Sequence, residues 1–329
     1  MMDQLVARFT EQLREALQIG EAANLKPHPQ PIQNVYISGL GGSGIGANFV
    51  AEFLRDSLQV PYQVGKGYHI PGFVNEHTLA VASSYSGNTE ETLSCFDQLI
   101  KTGAKVVVIA SGGKLIELAE KHGLDYIRMP SDWPSPRACL GYSLVQQLFV
   151  LYKMGLSDRG AIDQVESSIA LLDNESTNIR EKAKQIAQLI SDKIPVIYTT
   201  DRMESVAVRF RQQINENAKM LCWHHVIPEM NHNELVGWRD KYDQIAVLIF
   251  RNRDDFERNQ MRIDIVKEVF GQYAGSIIEL YSKGENLVER SMYFVHLGDW
   301  ITVEMAKIRQ MDAVEVRVID YLKNALKEA

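Results

Sequence analysis

The sequence predicts an α/β protein built as two doubly wound parallel-sheet halves with flanking helices. Three observations predict it. Short β-prone apolar runs alternate with helix-length segments from Asn34 onward. One run, Lys105 to Ala110, is apolar almost without a break, as a parallel strand covered on both faces requires. The alternation begins again in the second half at similar length, which places one domain at residues 1–155 and another at 156–329.

Taken in order, Leu5–Ala22 reads as a helix; Pro27, Pro29 and Pro31 end it and lead into a strand at Asn34–Ser38. Gly44–Leu58 is predicted helical, and Pro61–Val64 and Leu79–Ser83 extended. A helix over Thr89–Lys101 carries Glu90 and Glu91 in its first turn, where negative charge suits the helix dipole. Lys105–Ala110 is a strand, Lys114–His122 a short helix and Asp125–Met129 a fifth strand. A proline-rich loop, Pro130–Pro136, precedes Arg137 and an apolar helix over Leu140–Met154. The second half offers helices over Ala161–Asp192, Met203–Met220 and Asp255–Phe270, with strands at Pro195–Thr200, Ile245–Phe250 and Ser276–Leu280. Helices over Leu287–Gln310 and Val314–Lys327 close the chain.

Of 329 residues, 45% are hydrophobic, enough for full cores. The net charge of −7 argues against nucleic-acid and anionic-membrane partners, which favour a basic face. No stretch reaches the ~18 apolar residues of a membrane span. The N-terminus, with Asp3, Arg8, Glu11, Arg14 and Glu15 scattered through it, lacks the apolar core of a signal peptide. Cys95, Cys139 and Cys222 stand apart without a CxxC pair; they read as reduced core residues of a cytoplasmic protein.

The chemistry concentrates in two polar stretches, Gly39–Gly46 and Ser83–Glu90, each following a strand and opening a helix. Such turns aim backbone N–H groups and hydroxyls at one spot, and the helix N-termini add partial positive charge. Ser43, Ser84, Ser86 and Thr89 can converge there, with no Lys or Arg in either turn. The pattern fits a small phosphorylated ligand held by neutral donors. Gly39-x-Gly41-x-x-Gly44 formally matches a dinucleotide fingerprint, yet the acid expected about 20 positions on is missing from Val60–Lys66. The Gly-Lys-Ser/Thr of a Walker loop is absent too. A turn that needs glycine for geometry alone is the bland alternative, and the second hydroxyl-rich turn weighs against it.

Gly41-Gly42-Ser43-Gly44 and Ser84–Thr92 resemble the signatures of the sugar-isomerase (SIS) domain. The wider pattern resembles the bifunctional phosphoglucose/phosphomannose isomerases. Its further pieces are Pro134–Tyr142, Asn215–Lys219, Pro228–Trp238 and Ile319–Lys323, in the family's order. The resemblance implies two SIS-type subdomains and an aldose–ketose isomerase working through a cis-enediol, without cofactor or metal. Its substrates would be glucose 6-phosphate and mannose 6-phosphate, each interconverted with fructose 6-phosphate.

It also implies roles. Gly42, Ser43, Ser84, Tyr85, Ser86 and Thr89 would anchor the 6-phosphate. Glu216 would be the base that moves the proton between C1 and C2; by spacing alone it reads as a solvated helix residue. His232 would serve the ring oxygen, and in related isomerases this histidine comes from the neighbouring subunit, so a homodimer is expected; otherwise it is a surface-loop histidine. Arg137 would stabilise the enediolate, against a plain helix-start surface pair. Lys323 would assist ring opening, although a lysine on a terminal helix is ordinarily solvated. Val316 falls where some relatives carry a threonine, and it cannot hydrogen-bond C2. A metal at His224, His225 and His232 is disfavoured, because adjacent histidines point apart and no ligand-spaced Cys or HExxH accompanies them. The alternatives are a sugar-phosphate sensor without turnover, or an isomerase of an amino-sugar or heptose phosphate. Glu216, His232 and Arg137 together argue against both.

Overall fold

Parallel strands can be joined only by crossover connections, and the alternating sequence supplies helices for them. The structure is a computed structural model and describes residues 1–328. The first elements are α1 (Met2–Ala7), α2 (Phe9–Ala22), β1 (Asn34–Ser38), α3 (Gly41–Leu54), β2 (Tyr62–Gly65) and β3 (Thr78–Ser83). Next come α4 (Glu90–Leu99), β4 (Lys105–Ala110), α5 (Gly113–His122), β5 (Asp125–Arg128), α6 (Leu140–Lys153) and α7 (Gly160–Ile190). Then follow β6 (Ile194–Thr200), α8 (Glu204–Gln213), β7 (Trp223–Ile227), β8 (Tyr242–Arg251), α9 (Glu257–Tyr273), β9 (Ala274–Tyr281), α10 (Leu287–Ile308) and α11 (Arg317–Glu328).

The chain divides into two compact units. The N-terminal unit comprises Ala7–Asp173 with Gly284–Met292, and the C-terminal unit Met1–Val6, Asn174–Lys283 and the chain from Tyr293 on. The N-terminal unit holds a parallel sheet ordered β2-β1-β3-β4-β5. Tyr36, Ala80, Phe96, Val106, Val108 and Leu115 form much of a core cluster there. The C-terminal unit holds a parallel sheet ordered β7-β6-β8-β9. Val196, Tyr198, Val247, Ile249, Val266 and Phe270 belong to its core. The α/β doubly wound architecture with flanking helices is thus as the sequence predicts.

Four local features differ from the prediction. The first helix breaks at Arg8, whose guanidinium lies 4.6 Å over the Trp133 ring. The glycine stretch enters α3 three residues earlier than expected, and the chain turns into it at Gly41, whose φ of +52° a side chain would disfavour. The predicted Met203–Met220 helix narrows to α8 and then widens into a π-helical turn at Ile214–Ala218. Finally, β7 is a strand that the sequence pattern does not announce: its burial does not alternate, and two histidines interrupt the apolar run.

Candidate active site

In the first sheet the order reverses between β1 and β3, and ligands of open α/β sheets bind outside such a reversal. Both polar turns lie there. A Cβ on Gly39 would approach the Ser83 carbonyl to 3.1 Å, so the turns run side by side. A Cβ on Gly44 would meet the Gly39 carbonyl at 2.4 Å, so only glycine lets the first turn close this tightly. Neither α3 nor α4 has a side-chain N-cap hydrogen bond. No side chain caps their first turns, a setting that suits an anion, although the Ser43 N–H itself donates to the Leu40 carbonyl (3.1 Å).

The hydroxyls are partly organised. Ser43 and Ser84 are buried, and Ser84 Oγ lies 2.8 Å from Thr89 Oγ1. The Gly87 N–H donates to the Ser84 carbonyl at 3.0 Å. Gly87 has a φ of +69°, and a Cβ there would sit 1.9 Å from the Gly112 carbonyl. Ser86 Oγ accepts from the Asn88 N–H (3.3 Å), and Tyr85 Oη donates to the Pro130 carbonyl (2.8 Å). From α6, Gln147 Nε2 donates to the Ser43 carbonyl (3.2 Å) and to Ser143 Oγ (2.9 Å), backing the first turn.

Arg137 belongs to the same unit. It lies in a short 3₁₀ turn, Pro136–Ala138, and is 8% exposed. A Cβ on Gly42 would reach the Pro136 carbonyl at 3.4 Å, so this turn flanks the first glycine turn. The structure therefore brings Gly42, Ser43, Ser84, Thr89 and the Arg137 turn into one neighbourhood. It also adds a cation that the sequence reading passed over. Lys66 follows β2, the neighbour of β1, and its Cε lies 3.5 Å from a Cβ position on Gly44. A residue just beyond a strand that pairs with the turn's own strand was the available signal.

Glu216, His232 and Lys323 belong to the C-terminal unit, on three separate elements. Glu216 is half-buried in the π turn that ends α8. Asn217 Nδ2 donates to Thr302 Oγ1 (3.0 Å, buried), and Asn215 Nδ2 to the Met220 carbonyl (2.7 Å). His232 is exposed, in a 3₁₀ turn at Glu229–His232. That loop is pinned through Glu234, which accepts from the buried Tyr198 hydroxyl and from Trp223 Nε1 (3.4 Å). Burial and the Glu234 carboxylate raise the Tyr198 pKa, so the phenol stays a donor. Lys323 lies on α11, none of whose residues is buried. His224 and His225 are successive residues of β7 and so face opposite sides. Among the described residues, no group of three or more His, Cys, Asp and Glu side chains is placed to hold a metal ion.

The family described as the bacterial phospho-glucose isomerase C-terminal SIS domain matches residues 179–326. A bifunctional phosphoglucose/phosphomannose isomerase of Caldicellulosiruptor bescii is 36% identical, over 99% of this chain and 99% of that protein. The chain belongs to the bifunctional phosphoglucose/phosphomannose isomerase family. An Aquifex aeolicus enzyme of the same name is 35% identical over 91% of this chain and 92% of its own length. The fold is also that of the C-terminal domain of a Francisella tularensis glucosamine-fructose-6-phosphate aminotransferase. There the TM-score is 0.77, with 14% identity over 95% of this chain and 98% of that one.

Proposed function

We propose that this isomerase interconverts glucose 6-phosphate and mannose 6-phosphate with fructose 6-phosphate. The observation that carries the reading is the pair of uncapped, hydroxyl-lined turns at the β1/β3 reversal, in a chain of this family. Gly42, Ser43, Ser84, Tyr85, Ser86 and Thr89 hold the 6-phosphate through hydroxyls and backbone N–H groups. His232 and Lys323 move protons at the ring oxygen and O1 to open the ring. Glu216 takes the C2 proton and, after exchange with solvent, delivers a proton to C1. Arg137 meets the negative charge that develops on the enediolate. Glucose and mannose differ only at C2 and give one cis-enediol, so rotation about C2–C3 lets a single base serve both.

The working form we propose is a homodimer in which His232 serves the neighbouring subunit's site. Two features support it. His232 is exposed on its own chain, and α11 exposes Val318, Tyr321, Leu322 and Leu326, an apolar face of the kind subunits cover. No helix among the described residues is long and apolar enough to cross a membrane. Conversion of each aldose phosphate to fructose 6-phosphate, in the presence of EDTA, tests the reading. Activity on both is expected; ligand binding without turnover would point to a sensor instead.

A further inference from the structure

The π turn that carries Glu216 ends in an unusual residue. Lys219 adopts φ 56° and ψ 42°, and its N–H closes the turn on the Ile214 carbonyl. Glycine is the common occupant of this left-handed position at a helix end, because other residues are strained there. A lysine held in that conformation calls for a role of its side chain. Its ammonium supplies one. Nζ donates to the carbonyl of Glu216 and, at 2.7 Å, to the carbonyl of Glu315. The first acceptor is one of the carbonyls that a helix end leaves without intrahelical partners. The second lies in the segment that opens α11, one residue before Val316, whose carbonyl accepts from Ile319 and Asp320. Arg309 braces the same turn, with Nε donating to the Ala218 carbonyl at 3.1 Å.

We infer that Lys219 is a positioning residue: its ammonium ties the backbone of Glu216 to the Glu315–Val316 lead of α11, the helix that carries Lys323. The inference rests on the isomerase reading of Glu216. One ammonium thus holds the base and the ring-opening lysine's helix in a common register.

Three variants test it. K219M keeps the stem and removes the ammonium, K219R keeps a cation, and K219C treated with 2-bromoethylamine regains an ammonium at nearly lysine length. Competing alkylation is slow, since Cys95 and Cys139 are buried and burial pushes the Cys222 thiol up to about 12. A small misplacement of a catalytic group costs about 10²-fold, and K219M and untreated K219C are expected to lose kcat on that order while KM stays near that of the wild type. K219R retains part of the rate. Aminoethylation restores K219C and leaves K219M unchanged. Backbone hydrogen exchange quickens in K219M over residues 214–219 and 313–317 together. Wild-type kcat in K219M, failure of aminoethylation to restore K219C, or unaltered exchange in either segment would overturn the inference. Wild-type and E216Q turnover judge the isomerase reading separately, and the exchange measurement decides the tie whatever they show.

Discussion

Glu216→Gln keeps the side chain's length in the π turn and removes its basicity. Acid–base groups contribute about 10²–10⁴-fold, so kcat is expected to fall within that range while KM for the sugar phosphate changes little. Steady-state kinetics on fructose 6-phosphate reads this, and near-native turnover would reassign the base. Asp255 makes a different prediction. It lies buried beyond β8, accepting from Thr200 Oγ1 (2.7 Å) and Asn252 Nδ2 (3.1 Å). Burial raises its pKa above the ordinary 3.8 in spite of those bonds. The folded state then binds the proton more tightly than the unfolded chain. That stabilisation is complete below the ordinary value and is lost as pH rises through the raised one. D255N is therefore expected to raise Tm at neutral pH and to lose the advantage in acid; a gain equal at every pH would contradict this. The hydroxyls of the site were legible, because residue type and local spacing announce them. Glu216 was not legible by spacing, because its setting depends on Thr302, Glu315 and Arg309, in segments 85 to 96 residues from the turn residues they contact.

Turns and helices bear the next predictions. Gly44 is held by space and Gly41 by conformation. A Cβ at Gly44 meets a backbone carbonyl at 2.4 Å, while one at Gly41 meets nothing within 4 Å. Overpacking costs about 1–3 kcal/mol, so G44A is expected to lose that much stability in urea unfolding. It should also weaken phosphate-ester binding about tenfold, the equivalent of about 1.4 kcal/mol. G41A pays only backbone strain, about 1–2 kcal/mol, with a smaller change in KM. Equal effects of the two on KM would show that the close approach of Gly44 to Gly39 does not shape the site. The strands β1 and β4 were legible to the residue, since their apolar runs are too short for a helix and rich in β-branched residues. The strand β7 escaped because half-buried residues and His224-His225 disturb the apolar pattern. The π turn escaped because no local sequence pattern distinguishes it from the helix it extends.

For the whole molecule, the repeated parallel sheet was legible from the alternation of elements, and the helix α11 was legible as a helix. What covers its exposed Val318, Tyr321 and Leu322 is not a property that one chain's sequence displays. The homodimer makes a direct prediction. E216Q and H232A should each be inactive alone, and mixed subunits should recover activity, because one site per mixed dimer then has both residues. Failure to recover, with subunit exchange verified by mass, would place His232 in its own chain's site. The central claim is a shared cis-enediol. Fructose 6-phosphate incubated with the enzyme in D2O, followed by NMR, tests it most directly. The account predicts that glucose 6-phosphate and mannose 6-phosphate both form, each with deuterium at C2. Formation of either without any deuterium would contradict an enediol whose transferred proton exchanges with solvent, and appearance of only one epimer would contradict the common intermediate.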